Sequence, residues 1–378
     1  MTEKRIVYIT DVCSSIFAGG DAPKKHFSFE QTEECCYPVF SNGESHNGLY
    51  GYTNTARVTE PSITVSARGT IGFTAIRLTP FTPIVRLISI TPIQDIIDID
   101  YLYYALSNYT PENTGTSIPQ LTVPMIKKYK FRLPEKDEQK RAVKTLKQLD
   151  DILEKGKIQI QKLDELVKSR FVEMFGTVDN NAFDYPVVRL GDYAKLQGGF
   201  AFKSKDFVDN GIPLVQIGNV NKDYLDWEVI NSVPNEYVDR YSEFSLRDGD
   251  LVMAMTRPII KSLNSVKIAK VAKSDTPCLL NQRVGRFVLS SSLNRLFLET
   301  LCKSDDFKDY VERMSGNSLQ PNISSKQVED YLIILPPIEL QNQFADFVAK
   351  VEQQKTIVQK SIDKLETLKK SLMQNYFG

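Results

Sequence analysis

The chain has little of what most catalytic, membrane-spanning or secreted proteins are built from. Its 378 residues include two histidines, His26 and His46, and one tryptophan. No apolar run reaches the roughly eighteen residues that a membrane helix needs, and the first residues lack the charged, apolar and small-residue series of a secretion signal. We therefore expect a cytoplasmic protein with no membrane partner.

Cysteine is also scarce, and its arrangement argues against both a disulfide framework and a metal site. There are five cysteines, an odd number, and none forms a CxxC pair. This pattern is typical of reduced thiols. Cys35 and Cys36 lie near the two histidines in the sequence, but adjacent cysteines do not have the usual spacing of zinc ligands. The sequence therefore predicts no metal site.

The motifs of common enzyme classes are missing. The sequence has no GxxxxGK[ST] phosphate loop, no HExxH and no GxSxG. Its Pro-Pro pair lies in the apolar run Leu335-Pro336-Pro337-Ile338, which does not match the Asn/Asp-Pro-Pro-aromatic motif of DNA methyltransferases. We interpret the pairs Gly19-Gly20 and Gly198-Gly199 as turns rather than phosphate-binding loops. A catalytic role is therefore disfavoured.

What the chain does contain is a long internal repeat. Residues 115–176 recur as residues 316–378 with a single one-residue gap, and the copies end on KLDELVKSRFVEMFG and KLETLKKSLMQNYFG. A period of this length determines the architecture before any motif is considered. The repeat predicts two half-molecules, each a globular region followed by a long helix.

The predicted fold is α+β. Short apolar runs broken by turn residues fill residues 1–134 and 177–335, which we assign as two globular α/β domains. Helices are expected at residues 99–107, 293–302 and 305–314. Long helices are expected at residues 135–176 and 336–378, because Pro134 and Pro336 are each followed by acidic residues that favour a helix start.

Each long helix carries one narrow apolar stripe, which we call the helix seam. Steps of four and three residues select Leu146, Leu149, Leu153, Ile160, Leu163 and Val167 in the first helix and Val348, Val351, Val358, Ile362, Leu365 and Leu372 in the second. A narrow stripe is what a coiled coil buries. We predict that the helices pack antiparallel, related by a pseudo-two-fold axis, as a rod of about 58 Å.

The charges are balanced overall but uneven locally. Basic and acidic residues number 47 each, so no overall basic excess indicates a nucleic-acid partner. Residues 61–94, however, contain Arg68, Arg77 and Arg86 and no acid, and residues 251–274 contain five basic residues and no acid. Such stretches fit either the solvated faces of strands or a surface that binds an anion.

Polar loop residues provide candidates for DNA contact. Arginine, asparagine and glutamine match the edges of guanine and adenine, and lysine suits phosphate. The first half contributes Lys24, Lys25, Asn42, His46, Asn47, Tyr50, Asn54 and Arg68. The second half contributes Lys203, Gln216, Asn219, Asn221, Lys222, Arg257, Lys261, Asn264, Gln282 and Arg283.

The repeated junction is most distinctive in its second copy, with GNSLQPNIS at 316–324, YLIILPP at 331–337 and Gln341. Through these residues the chain resembles the specificity subunits of type I restriction-modification systems, the HsdS family. The resemblance spans the whole length. The first copy matches more loosely, through Gly115, Ser117, Pro119, Gln120, Leu121, Pro134 and Gln139.

The resemblance implies a non-catalytic subunit that binds double-stranded DNA. Each globular region would be a target recognition domain that reads one half of a split, asymmetric DNA sequence. The helices would space the domains and dock two methyltransferase subunits. S-adenosylmethionine, ATP and Mg would belong to those subunits and to a further motor-nuclease subunit. Two alternatives stay open: a related system in which methylation and cleavage share one polypeptide, and a coiled-coil scaffold that binds no DNA.

Overall fold

Two 40-residue helices and many short strands form the chain in this computed structural model, which describes residues 5–109, 120–316 and 318–378. Gly115, Ser117 and Pro119 of the first repeat copy lie outside the described residues. The helices are α1 (Ile99–Ser107), α2 (Val123–Lys127), α3 (Lys136–Phe175), α4 (Tyr237–Arg240), α5 (Arg295–Cys302), α6 (Asp305–Ser315), α7 (Ser325–Glu329) and α8 (Ile338–Phe377).

The chain folds into two units, and each long helix contributes to both. The first unit contains residues 1–158 and 358–378, and the second contains residues 159–357. The strands of the first unit are β1 (Arg5–Tyr8), β2 (Cys13–Ala18), β3 (Phe27–Ser28), β4 (Tyr37–Phe40), β5 (Leu49–Thr53), β6 (Ser62–Val65), β7 (Thr74–Arg77), β8 (Thr82–Pro83), β9 (Ile88–Pro92) and β10 (Lys130–Leu133). They form sheets in the orders β2-β9-β6-β7, β3-β5-β4-β8 and β1-β10.

The second unit repeats this plan. Its strands are β11 (Val187–Arg189), β12 (Ala194–Gly198), β13 (Ile212–Val215), β14 (Ser232–Val233), β15 (Leu251–Ala254), β16 (Ile259–Ile260), β17 (Ser265–Val266), β18 (Ile268–Lys270), β19 (Leu279–Leu280), β20 (Val284–Leu289) and β21 (Leu332–Ile334). The order β12-β20-β15-β18 matches β2-β9-β6-β7, and β11-β21 matches β1-β10. The α+β prediction and the internal repeat are thus confirmed within the units.

Each unit joins its domain to a long helix through one buried glutamine. Gln139 accepts a hydrogen bond from the backbone N–H of Asp98 (2.8 Å) and donates to the Pro134 carbonyl (2.9 Å). In the second unit, Gln341 accepts from the N–H of Asn294 and donates to the Pro336 carbonyl, both at 2.8 Å. Both glutamines are almost fully buried, at 1% and 0% exposure, so each links a helix start to a long helix.

Those two helix starts are capped in the same way. The Asp98 carboxylate accepts from the N–H groups of Asp100 (2.9 Å) and Tyr101 (3.2 Å) at the start of α1. The Asn294 side chain accepts from the N–H of Leu296 (2.8 Å) at the start of α5. Because a helix start leaves N–H groups without intrahelical partners, a side-chain acceptor there stabilises the helix.

Within each unit the segments of α3 and α8 run antiparallel, which confirms that part of the predicted fold. In the first unit, Asp150 pairs with Lys369, and a Cβ at Gly156 would lie 3.0 Å from Ile362. In the second, Asp164 pairs with Lys355 at 2.7 Å. Every seam residue named from the sequence is buried or half-buried, with Leu146 fully buried.

Candidate nucleic-acid interface

In the first unit, three chain segments meet at one edge of the β4-containing sheet. Strands β4 and β8 run parallel, with Phe40 beside Pro83, so the loop after β4 and the turn after β8 leave the sheet at the same edge. The Asn42 side chain connects them, because its amide donates to the Val85 carbonyl and its oxygen accepts from the N–H of Ala67 at 3.0 Å. We call this edge the first reading edge.

The backbone at this edge adopts uncommon conformations. His46 and Asn47 have φ angles of 50° and 55°, and Val85 and Arg86 have φ angles of 44° and 62°. Left-handed backbone is unfavourable for residues with a Cβ, above all for a β-branched valine, and persists where the surroundings impose it. Here the Val85 N–H donates to the Gly20 carbonyl at 2.7 Å. The strained turns leave the side chains of His46, Asn47 and Arg86 exposed.

The second unit builds the same edge from different residues. Strands β13 and β19 run parallel, with Val215 beside Leu280. The loop after β13 and the turn before β20 line a cleft of about 410 Å³ that brings together four predicted residues, Gln216, Asn219, Gln282 and Arg283. Asp226 and Glu228 also line this cleft. We call it the second reading edge.

Arg86 and Arg283 occupy equivalent positions. Arg86 precedes Leu87, whose carbonyl accepts from Gly19 N–H at 2.8 Å, and Arg283 precedes Val284, whose carbonyl accepts from Gly199 N–H at 3.0 Å. Both arginines are exposed, and Arg283 has a φ of 68°. Gly19 and Gly199 are therefore places where two backbone segments come close together, and not simple turns. A Cβ at Gly19 would lie 2.6 Å from backbone atoms of Pro83.

The repeated junction reaches both edges. In the second unit, the N–H of Arg257 donates to the Pro321 carbonyl at 2.8 Å, and Ile323 N–H donates to the Met255 carbonyl at 2.9 Å. In the first, Leu121 N–H donates to the Ala67 carbonyl at 2.9 Å. Arg68 and Arg257 are each the third residue after an equivalent strand, β6 or β15, and both are exposed.

Two cations lie near each other beside the loop that follows β13. Lys267 is half-buried, and its ammonium donates to the Ile217 carbonyl at 3.4 Å. Burial lowers the pKa of Lys267 below its ordinary value, and the nearby charge of Arg257 lowers it further. Because two cations that repel each other both gain from a bound anion, a phosphate next to Lys267 and Arg257 would be stabilised, whereas Asp226 and Glu228 add negative charge to the cleft itself.

The side-chain amides of two predicted asparagines already form hydrogen bonds within the protein. The Asn219 side chain is 4% exposed, accepts from Gln216 N–H at 3.0 Å and donates to the carbonyls of Asp226 (2.9 Å) and Val229 (2.8 Å). Asn42 is half-buried and bonded to two other segments. These amides hold the loops and are not available to a base.

Other predicted residues lie away from these contacts. Lys261 and Asn264 lie in the turn between β16 and β17, where Asn264 accepts from Lys308 at 3.2 Å. Asn221 donates to the Tyr224 hydroxyl at 3.0 Å. The remaining predicted side chains are exposed, and among the described residues no hydrogen bond or ion pair links them to a reading edge. They are Lys24, Lys25, Tyr50, Asn54, Lys203 and Lys222.

Sequence reasoning missed Arg77, Arg86 and Lys267 as candidates. All three belong to the acid-free stretches, but nothing in the residue types distinguishes them there. A signal for Arg86 does exist, because the runs PIVRL and LNQRV both place an arginine just before a buried strand. Aligning the two halves by their parallel strands would have selected it.

Neither a membrane segment nor a metal cluster is found in the part of the chain that the structure describes. No helix there is both long enough and apolar enough to cross a bilayer. No three His, Cys, Asp or Glu side chains there are grouped as metal ligands would be, and the His26 ring instead pairs with Glu34 at 2.7 Å.

Known proteins share this architecture. A family model described as the type I restriction modification DNA specificity domain matches residues 1–162 and 183–367. The specificity subunit of type I restriction enzyme MjaVIII from Methanocaldococcus jannaschii is 30% identical over 295 residues, which cover 74% of this chain and 69% of that protein.

Solved structures show the same fold. The crystal structure of the type I restriction-modification S subunit from M. genitalium aligns with 100% of this chain and 97% of its own, at a TM-score of 0.54 and 16% identity. A structure from work on complex assembly and conformational transition of the type I system aligns with 100% and 98%, at 0.59 and 16%. With two matched domains that cover most of its length, the chain belongs to the family of type I restriction-modification specificity subunits.

Proposed function

We propose that this chain reads a bipartite, asymmetric DNA sequence for a type I restriction-modification complex, with residues 1–134 reading one half and residues 177–335 the other. The observation that carries the proposal is the pair of reading edges. Arg86 and Arg283 are presented by equivalent strained turns, while the side chains around them differ. A common frame with different reading residues is what two different half-sites require.

The chemistry of the edges suits DNA. Arginine side chains bond guanine edges in the major groove and also neutralise phosphates. Arg68 and Arg86 come from a stretch without acids, as does Arg257. The second edge adds Asp226 and Glu228 beside Gln282, and carboxylates accept from the amino group of cytosine. The two edges therefore differ in the bases that they can accept.

The long helices fit the second part of the proposal, which is spacing and subunit docking. Several apolar side chains on them face solvent: Ile152 is 49% exposed, and Leu166 and Leu368 are each 47% exposed. Leu166 and Leu368 are equivalent in the repeat, so two similar docking surfaces would serve two methyltransferase subunits. Forty residues at about 1.5 Å each give a helix of about 60 Å to act as the spacer.

The chemistry of methylation and cleavage would lie in partners. S-adenosylmethionine would be bound by the methyltransferase subunits, and ATP and Mg by a motor-nuclease subunit. This chain would be their non-catalytic partner. A polypeptide that fuses methyltransferase and nuclease would use the same reading and docking surfaces.

Selection from a random double-stranded DNA pool tests the proposal. The full chain, alone and assembled with its methyltransferase subunits, should enrich two short sequences separated by a fixed gap. Sequencing of modified adenines in the host genome should give the same bipartite motif. A chain that is folded and assembled but enriches no sequence would contradict the proposal and favour the coiled-coil scaffold.

A further inference from the structure

Arg77 is a buried cation without an acidic partner. It lies in β7 at 5% exposure, and no carboxylate of the described residues is within ion-pair distance. Its guanidinium donates to the Asn47 carbonyl (2.8 Å) and to the Thr64 hydroxyl (3.1 Å), and it stacks 3.7 Å from the centre of the Phe40 ring. Burial lowers the pKa of Arg77 to about 10.

A buried charge without an acidic partner destabilises the folded state, so a neutral side chain is expected at position 77 unless the guanidinium has a specific role. Burying a charge without a counter-ion costs free energy that hydrogen bonds only partly offset. The bond to Asn47 reaches the second of two consecutive left-handed residues, His46 and Asn47. The turn is also closed from the other side, because a Cβ at Gly48 would lie 2.8 Å from the Ser41 carbonyl oxygen. Arg77 thus fixes the turn that presents His46 and Asn47 to solvent.

The second unit has no arginine at this place. Val65 pairs with Thr74 and Ile88, and the equivalent Met253 pairs with Ile268 and Gly285, so the place of Arg77 is taken by Val271. Val271 is fully buried, and its neighbour Lys270 is exposed. The loop after β13 is instead held by buried Asn219, through the three hydrogen bonds described above. Two equivalent loops are therefore fixed by two unrelated buried side chains.

We propose that Arg77 and Asn219 are positioning residues for DNA reading, each fixing the reading loop of its own unit and setting the base preference of one half-site. Neither side chain need touch DNA. The inference rests on the proposed bipartite reading and goes beyond it, since it assigns each half-site a buried residue that determines its specificity. The two residues also serve as controls for each other.

Arg77→Lys and Asn219→Asp are the variants that test this. Lysine keeps the charge but lacks the planar guanidinium that donates to Thr64 and Asn47 from two separate nitrogens and lies flat on Phe40. Aspartate keeps the oxygen that accepts from Gln216 but loses both donated bonds. Each variant of the full chain, assembled with its methyltransferase subunits, is used to select sequences from a random double-stranded DNA pool. Lys270→Met is the control, because it removes an exposed basic side chain from β18, the strand equivalent to β7.

We expect each variant to relax one half-site and leave the other unchanged. At the most discriminating position of that half-site, preference for the best base should fall about tenfold, which is the order of one good side-chain contact with a base. Arg77→Lys and Asn219→Asp should relax opposite halves, and Lys270→Met neither. Helix content by circular dichroism checks that each variant is folded. If Arg77→Lys does not fold, Phe40→Leu removes the stacking alone and should relax the same half-site.

The contrary results are distinct. If the wild-type chain enriches no bipartite sequence, the proposed function itself is wrong. If the wild type enriches one and both variants keep its base preferences, the positioning role is wrong while the proposed function stands. Equal weakening of both half-sites, with unchanged preferences, would show that Arg77 and Asn219 contribute only stability, and would also overturn the inference.

Discussion

Replacing Phe175 with alanine should destabilise the second unit strongly. Phe175 is the last residue of α3 and is fully buried, with ring centres of Phe171, Phe297 and Phe344 at 5.2, 5.0 and 5.5 Å. Truncation of a buried phenylalanine costs about 3–5 kcal/mol, and the cost is highest where neighbours cannot collapse into the cavity. Rings that already pack edge to face on one another have little freedom to do so. We therefore expect the upper half of this range.

The protein carries its own reporter for this measurement. Trp227 is the single tryptophan, belongs to the second unit, and donates its indole N–H to Asp275 at 3.0 Å. Urea unfolding followed by its fluorescence therefore reports on that unit. With a denaturant slope of about 2–3 kcal/mol per molar, a loss of about 4–5 kcal/mol lowers the urea midpoint by about 1.3–2.5 M.

Two further variants make the result interpretable. Val172 lies one turn earlier on the same helix and is 50% exposed. Val172→Ala should therefore change the free energy of unfolding by no more than about 0.5 kcal/mol. Phe377→Ala removes the equivalent ring of the first unit, which is 2% exposed and 4.8 Å from Tyr101. In this variant the helical circular dichroism signal should be lost at a lower urea concentration than in the wild type. If Phe175→Ala shifts the fluorescence midpoint no more than Val172→Ala does, the aromatic cluster does not hold helix and domain together.

Three other outcomes are expected. Deleting residues 153–159 and 360–366 together removes facing heptads and should change the gap of the selected DNA motif while leaving both half-sites unchanged; altered half-sites would contradict the spacer role. Alkylation of the native chain at pH 8, followed by mass spectrometry, should modify Cys36 first, because Cys36 is exposed and burial raises the pKa of Cys13 and of Cys278 to about 12. Asn294→Ala removes the cap of α5 and should cost about 1 kcal/mol by tryptophan fluorescence, whereas Asn294→Asp should cost less.

The repeated parts of the fold were predictable because their signals are local and occur twice. The endings of both repeat copies place Phe175 and Phe377 at the same point of a helix, and both are buried. The cap at Asp98 and the glutamines at 139 and 341 also follow from residue types at fixed spacing. The division into recognition domains and the assignment of contacts to DNA stay predictions.

The reading edges were only partly predictable. Residues 82–90, TPIVRLISI, form one of the short apolar runs of the first half, yet the run is broken into β8 and β9 by the left-handed pair Val85 and Arg86. No residue type in it favours that conformation, and valine opposes it. The break is imposed by bonds to Gly20 and Asn42, which come from distant parts of the chain. Tertiary contacts of this kind leave no local pattern in the sequence.

Strand β10 shows the same limit, because its residues form no apolar run. It has four residues, KFRL, with one fully buried side chain, Phe131, and so gives too short a pattern to recognise. Its partner β1 is followed by a turn at Ile9–Asp11, as β11 is by a turn at Leu190–Asp192. Ile9 N–H donates to the Tyr129 carbonyl and Leu190 N–H to the Tyr331 carbonyl. Residues 8–12 (YITDV) and 189–193 (RLGDY) therefore adopt the same local structure although their sequences differ.

The glutamine contacts are the same in both units, whereas the side chain that holds the reading loop differs between them. The reason lies in the groups that each side chain bonds. Gln139 and Gln341 each bond a helix start and a proline carbonyl, so their partners are backbone groups whose positions the long helices fix. Any substitution there leaves buried backbone groups unpaired, at a cost of about 1–3 kcal/mol each. Arg77 and Asn219 need only fix a loop, which many buried polar side chains can do. A unit can therefore change the residue that holds its reading loop, and with it the loop's shape, without disturbing its attachment to the helices.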